Sequence, residues 1–198
     1  NQFLKNKIKT LDAIMYTHEH ADQTTGIFEM RPFFWKNKKK IPIYGSARTI
    51  KELKDKYTFC FKQRHGYKPI MKSNIVKNNF KIIKGNNALT IKSFDIVHGM
   101  INATAYVFNG IAYLSDCNRV PKNSLKYLMN LNYLIIDCLR IKKHPSHFNL
   151  DEALSLITKL NPKKAILTNL HIDFDYKKIK KKLPTNIIPA YDGLKFNF

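Results

Sequence analysis

Apolar residues along this chain fall into short runs separated by polar turns, the pattern of strands alternating with helices rather than of a helical bundle. Residues 11–16 (Leu-Asp-Ala-Ile-Met-Tyr) read as a buried strand followed by the polar turn 17–22, and 41–44 as a second strand. Ser46 caps a predicted helix through Leu53. Strands are predicted at 79–84, 88–94 (running on toward 97), 103–108 and 111–114, with Asn109-Gly110 as a two-residue hairpin turn between the last two. Pro121 opens a helix, 133–137 is a strand and 139–148 a loop. Asn149 followed three residues later by Glu152 forms a capping-box start for a helix over 151–160. A strand at 164–168, a Lys-rich helix at 175–182 and terminal strands at 187–189 and 194–197 complete the pattern. Hairpins with interspersed helices predict a layered α/β sandwich, taken as a single domain over 1–198.

With 198 residues, 44% of them hydrophobic, the chain is long enough to bury a core. No apolar run approaches the roughly 18 residues of a membrane span, and the first residues, Asn1-Gln2-Phe3-Leu4-Lys5, have no apolar core behind their charge. The three cysteines, Cys60, Cys117 and Cys138, have no CxxC spacing, which argues for buried thiols rather than a disulfide framework or zinc knuckle. These features predict a cytoplasmic protein with no membrane partner.

The formal charge of +21 raises the question of nucleic acid. Only five of the 35 basic residues are Arg (Arg31, Arg48, Arg64, Arg119 and Arg140), and the chain is also heavy in Asn (19) and Ile (23), which like Lys have A/T-rich codons. The basic runs 36–40 and 177–182 carry no aromatic-plus-Arg strip, so they read as solvated faces, and nucleic acid is not the favoured partner.

Candidate chemistry gathers where strands end. His18-Glu19-His20-Ala21-Asp22 places two imidazoles and a carboxylate on a turn after a strand, the donor types zinc takes. His98 and Asp116 follow later strands in the same way.

On these residues the chain resembles the metallo-β-lactamase-fold hydrolases. It is most similar to the phosphodiesterase branch that includes phosphoribosyl cyclic phosphodiesterase, with the tRNA-processing RNase Z enzymes as more distant relatives. The matching stretches include residues 16–22, the His98-Gly99 turn, Leu114-Ser115-Asp116, Asp137-Cys138-Leu139-Arg140, the loop His144-Pro145-Ser146-His147-Phe148, Leu167-Thr168 with 171–176, and 191–194. The resemblance implies a four-layer αββα sandwich with two metals between the sheets and hydrolysis by a metal-activated hydroxide. It also implies that His18, His20 and His98 hold one metal, that Asp116 bridges both, and that Asp22 holds the second with two more histidines. Those two positions are Gln23 and Asn169 here. Family members carry further strands ahead of the first motif, so the chain is expected to be an N-terminally truncated copy.

The pairing of the departures leaves three outcomes for the second metal. The site is empty; a harder ion sits there, held by Asp22, Asp116 and amide carbonyl oxygens; or His171 swings in as a substitute. One tightly held Zn or Mn, with a weak second ion as an extra, is the expected complement. Asp22, released from a metal, becomes a candidate general base, and His147 a candidate general acid, as its loop position in the resembled branch implies. The expected function is hydrolysis of a small cyclic or nucleotide-like phosphodiester. The alternatives are a weak or inactive one-metal remnant and, behind it, an RNase Z-like nuclease. A homodimer is compatible with the sequence, which does not fix the oligomeric state.

Overall fold

A computed structural model describes residues 2–197. Ten strands are described: β1 Ile14–Met15, β2 Ile41–Gly45, β3 Met71–Ile75, β4 Asn79–Lys84, β5 Asn87–His98, β6 Ile101–Phe108, β7 Ile111–Leu114, β8 Tyr133–Asp137, β9 Lys164–Thr168 and β10 Ile187–Pro189. The α-helices are α1 Gln2–Lys5, α2 Ala21–Thr24, α3 Arg31–Asn37, α4 Ala47–Lys56, α5 Thr58–Phe61, α6 Leu150–Leu160 and α7 Tyr176–Lys182, and 3₁₀ turns cover Thr25–Met30 and Lys122–Leu128. Among the described residues, no helix is long and apolar enough to cross a membrane. Two compact units result, residues 1–90 and 91–198.

The first unit contains a three-stranded parallel sheet in the order β1-β2-β3. Its central strand alternates buried Ile41, Ile43 and Gly45 with half-exposed Pro42 and Tyr44, the period of two that a strand with one face on a core requires. Helix α4 lays Thr49, Ile50 and Leu53 inward, and Ser46 caps it by accepting a hydrogen bond from the Thr49 N–H at 3.1 Å. Ile27, Met30, Phe33, Tyr57 and Cys60 complete that core.

The larger sheet runs β10-β9-β8-β7-β6-β5-β4, and the boundary between the units falls within β5. Strands β7, β8, β9 and β10 are parallel to one another, while β6 is antiparallel to both β5 and β7. The β6–β7 turn is Asn109-Gly110, both with positive φ (46° and 74°), as the sequence predicts for a two-residue hairpin. Helix α6 opens with the full capping box of Asn149 and Glu152 and buries Ala153, Ile157 and Leu160 on one stripe. With Leu134, Ile136, Leu114 and Leu167 these residues form the second core.

Three expectations change. The predicted strand at 11–16 shrinks to β1, although the Tyr16 N–H still bonds the Tyr44 carbonyl at 2.8 Å. The polar turn at 17–22 passes into helix α2. Residues 194–197 form no strand; that segment is held by the Tyr133 hydroxyl donating to the Asn197 carbonyl at 2.8 Å and by Tyr133 stacking on Phe196.

Candidate metal centre

Strand direction builds the second unit's part of the site. Because β7, β8 and β9 are parallel, Asp116, Asp137 and Asn169 stand at three successive C-terminal strand ends, Asp137 directly across from Thr168 in the ladder. Strand β5 runs the same way as β7, since both are antiparallel to β6, so its last residue, His98, reaches the same edge. Asp116 and Asn169 both adopt left-handed backbone (φ 52° and 61°), a conformation short polar side chains tolerate better than branched ones.

Asp137 is fully buried and is the hub of this edge. Its Oδ2 accepts hydrogen bonds from the Cys117 N–H at 3.0 Å and from His147 Nδ1 at 2.8 Å, and its Oδ1 from Asn169 Nδ2 at 3.0 Å. The same Asn169 nitrogen donates to Asp116 Oδ1 at 2.6 Å, an oxygen flanked also by the Ser115 hydroxyl, which donates at 2.8 Å. Two carboxylate acceptors fix which way the amide faces, because its own oxygen offers no proton.

The two imidazoles are oriented by similar logic. His98 Nδ1 lies 2.8 Å from the Ser146 carbonyl, which only accepts, so Nδ1 carries the proton and Nε2 the lone pair. Gly99 permits this approach: its φ is +58°, and a Cβ there would come within 2.8 Å of the Ser146 Cβ. In His147 the Nδ1 proton points to Asp137, again giving Nε2 the lone pair of the neutral ring. The His98 and His147 ring centroids are 4.8 Å apart. One ligand atom from each of His98, Asp116 and His147 lies within 4.8 Å of the others, a donor set of two anchored imidazoles and a carboxylate that fits a borderline metal ion.

The loop after β8 is shaped by Arg140, whose guanidinium donates to the carbonyls of Lys142 (3.3 Å) and Lys143 (2.7 Å). His144 stacks at a tilt 5.0 Å from His147. Burial and the neighbouring His147 and Arg140 hold its pKa below the ordinary histidine value. Cys117 and Cys138 flank the carboxylates as buried thiols. Burial, with a smaller contribution from Asp137, pushes Cys138 up to about 12 and Cys117 well above its usual value, so neither is a ready thiolate ligand.

In the first unit the ligand loop hangs on Glu19, 4% exposed, which pairs with Arg48 at 2.8 Å and accepts from the Thr49 hydroxyl at 3.3 Å. His18 is fully buried with Thr17 Oγ1 3.0 Å from its Nδ1, and its ring meets the exposed His20 edge-on with centroids 4.5 Å apart. His20 sits at the N-cap of α2, its carbonyl taking the Thr24 hydroxyl at 2.9 Å. Asp22 is exposed in the first turn and accepts from Gln23 Nε2 at 3.1 Å.

Of the residues the sequence nominated, His18 and His20 meet in the first unit, and His98, Asp116, His147 and Asn169 gather in the second. His171 turns toward Asp173, Nδ1 to Oδ1 3.1 Å, and stays about half exposed. The two substituted amides present N–H groups to carboxylates, Gln23 to Asp22 and Asn169 to Asp116 and Asp137, in place of the carbonyl oxygens expected for a hard ion. Asp137 is the site residue the sequence left without a role; an Asp closing the apolar run Leu134-Ile135-Ile136 was its signal.

Residues 2–172 match the model of the beta-lactamase superfamily domain. The chain belongs to this superfamily, whose metallo-β-lactamase fold is that of metal-dependent hydrolases. It is similar to a solved diphosphatase from the PhnP family, 30% identical with a TM-score of 0.89, over 99% of this chain and 74% of that one. The short form of human tRNase Z resembles it in fold at 16% identity and a TM-score of 0.69, covering 97% of this chain and 82% of that one. An octanoyltransferase of Porphyromonas gingivalis is 26% identical over 190 residues, 94% of this chain but 38% of that protein, so the chain spans well under half of that relative.

Proposed function

We propose that this chain is a metal-dependent phosphodiesterase acting on a small cyclic or nucleotide-like phosphodiester, with His98 and Asp116 among the ligands of one ion. The observation that carries the reading is the pair of anchored imidazoles: His98 on the Ser146 carbonyl and His147 on the buried Asp137 both carry their proton on Nδ1. When bound, the ion supplies a lowered pKa for water and neutralises phosphate charge. Our roles for the side chains follow from where each proton sits.

Once protonated, His147 holds a proton on Nε2 while its Nδ1–H stays on Asp137, which stabilises the imidazolium and orients it. It donates that Nε2 proton to the departing alkoxide oxygen. Asp22 is exposed at the start of α2 and acts as the general base. The excess of Lys around the chain attracts anionic substrate. The diphosphatase similarity supports phosphorus–oxygen chemistry, and the tRNase Z likeness supports the fold alone.

Gln23 and Asn169 favour a second reading, a one-metal protein with little or no turnover. Hydrolysis of bis-p-nitrophenyl phosphate separates the two. Chelated protein is expected to be silent and to recover on adding Mn²⁺ or Zn²⁺; loaded protein that stays silent favours the non-catalytic reading.

A further inference from the structure

Two carboxylates side by side in a buried strand-end site repel each other when both are charged, and a cation or a set of N–H donors can relieve that repulsion. In this chain Asn169 Nδ2 stands between them, 2.6 Å from Asp116 Oδ1 and 3.0 Å from Asp137 Oδ1, with one N–H for each. Each contact is a charge-assisted hydrogen bond, stronger than a neutral one. The remaining oxygen of Asp137 is also engaged, by the Cys117 amide and His147, so that carboxylate cannot turn to an ion without breaking its own network.

The backbone fits the role: at φ 61° an asparagine is tolerated where a β-branched residue is strained. At the other substituted position the amide also presents an N–H to a carboxylate, Gln23 Nε2 donating to Oδ2 of the single exposed Asp22 at 3.1 Å. We propose that the Asn169 carboxamide is a built-in substitute for the second cation, holding Asp116 and Asp137 together with no ion between them and thereby fixing the centre at one metal. This rests on the one-ion hydrolase reading and adds the residue that sets the ion count.

The probe is Mn²⁺ alone, counted per chain by native mass spectrometry on the whole protein in excess metal. Wild type is expected to take one ion. Asn169→Asp keeps the shape and the left-handed backbone but swaps the N–H donors for a third carboxylate oxygen, and is expected to take two. Asn169→Gly keeps the backbone and removes the amide, and is expected to bind the second ion at least tenfold more tightly than wild type. A wild type with two ions, or both variants remaining at one, overturns this inference while leaving the hydrolase reading in place. A wild type that takes none removes the hydrolase reading itself. If a variant is unstable when stripped, Mn²⁺ must raise its melting temperature more than it raises that of wild type; an equal rise overturns the inference.

Discussion

In the first unit the ligand turn is held by side chains: buried Glu19 is pinned by Arg48 and Thr49, the Thr24 hydroxyl holds the His20 carbonyl, and of the two histidines one is fully buried and the other open to solvent. In the second unit the strands do that work. Parallel register delivers Asp116, Asp137 and Asn169 to one edge, and a network of N–H donors fixes them there. The difference teaches where each half tolerates change. A side-chain anchor is lost through one substitution, whereas a register-built site needs its carboxylates and their donors together.

That comparison is most sharply broken at the ligands themselves. Asp116→Ala and His98→Ala are each expected to lower metal content from about one ion per chain to near none, measured by elemental analysis after dialysis; unchanged content in both contradicts the assignment. Next in size, His147→Ala should keep its metal and lose turnover of bis-p-nitrophenyl phosphate by about 10²- to 10⁴-fold, the usual worth of a general acid. A fall in metal content instead would make His147 a ligand, in keeping with its place beside His98 and Asp116.

Stability distinguishes the units in turn. Leu134 is fully buried on a central strand of the larger sheet, and Leu134→Ala is expected to cost about 2–5 kcal/mol by denaturant unfolding. Loss of the α6 cap in Asn149→Ala should cost about 1 kcal/mol, read in the same way. The smallest effect is chemical. Burial pushes Cys60 up to about 11 and Cys138 up to about 12, so at pH 8 both stay protonated, and the native protein should leave Ellman's reagent almost unreacted until denaturant is added.

Much of this was legible because local signals agreed with the fold. Strands β4, β7, β8, β9 and β10 span the ranges the sequence predicts for them, and the Asn149–Glu152 box and Asn109-Gly110 turn form as the residues dictate. Strand β3 was not legible, since Met71-Lys72-Ser73-Asn74-Ile75 carries a polar centre and owes its conformation to pairing with β2. Helix α3 was missed for a similar reason: it is short, begins beside Pro32 and buries only Phe33.

At the site, the ligand pattern could be read from spacing, but the hydrogen-bond partners could not. Asp137 looks like a strand-ending turn residue until His147 and Asn169 are seen to meet it. Asn169 reads in sequence as a lost ligand, whereas in the structure it is a donor to two carboxylates.

The most direct test of the metal-centre account is anomalous scattering from a crystal of the protein loaded with Zn²⁺. The account predicts one strong peak within coordination distance of His98 Nε2 and Asp116, with the Asn169 amide still bridging Asp116 and Asp137. An ion bound elsewhere, or none in zinc-saturated crystals, contradicts it.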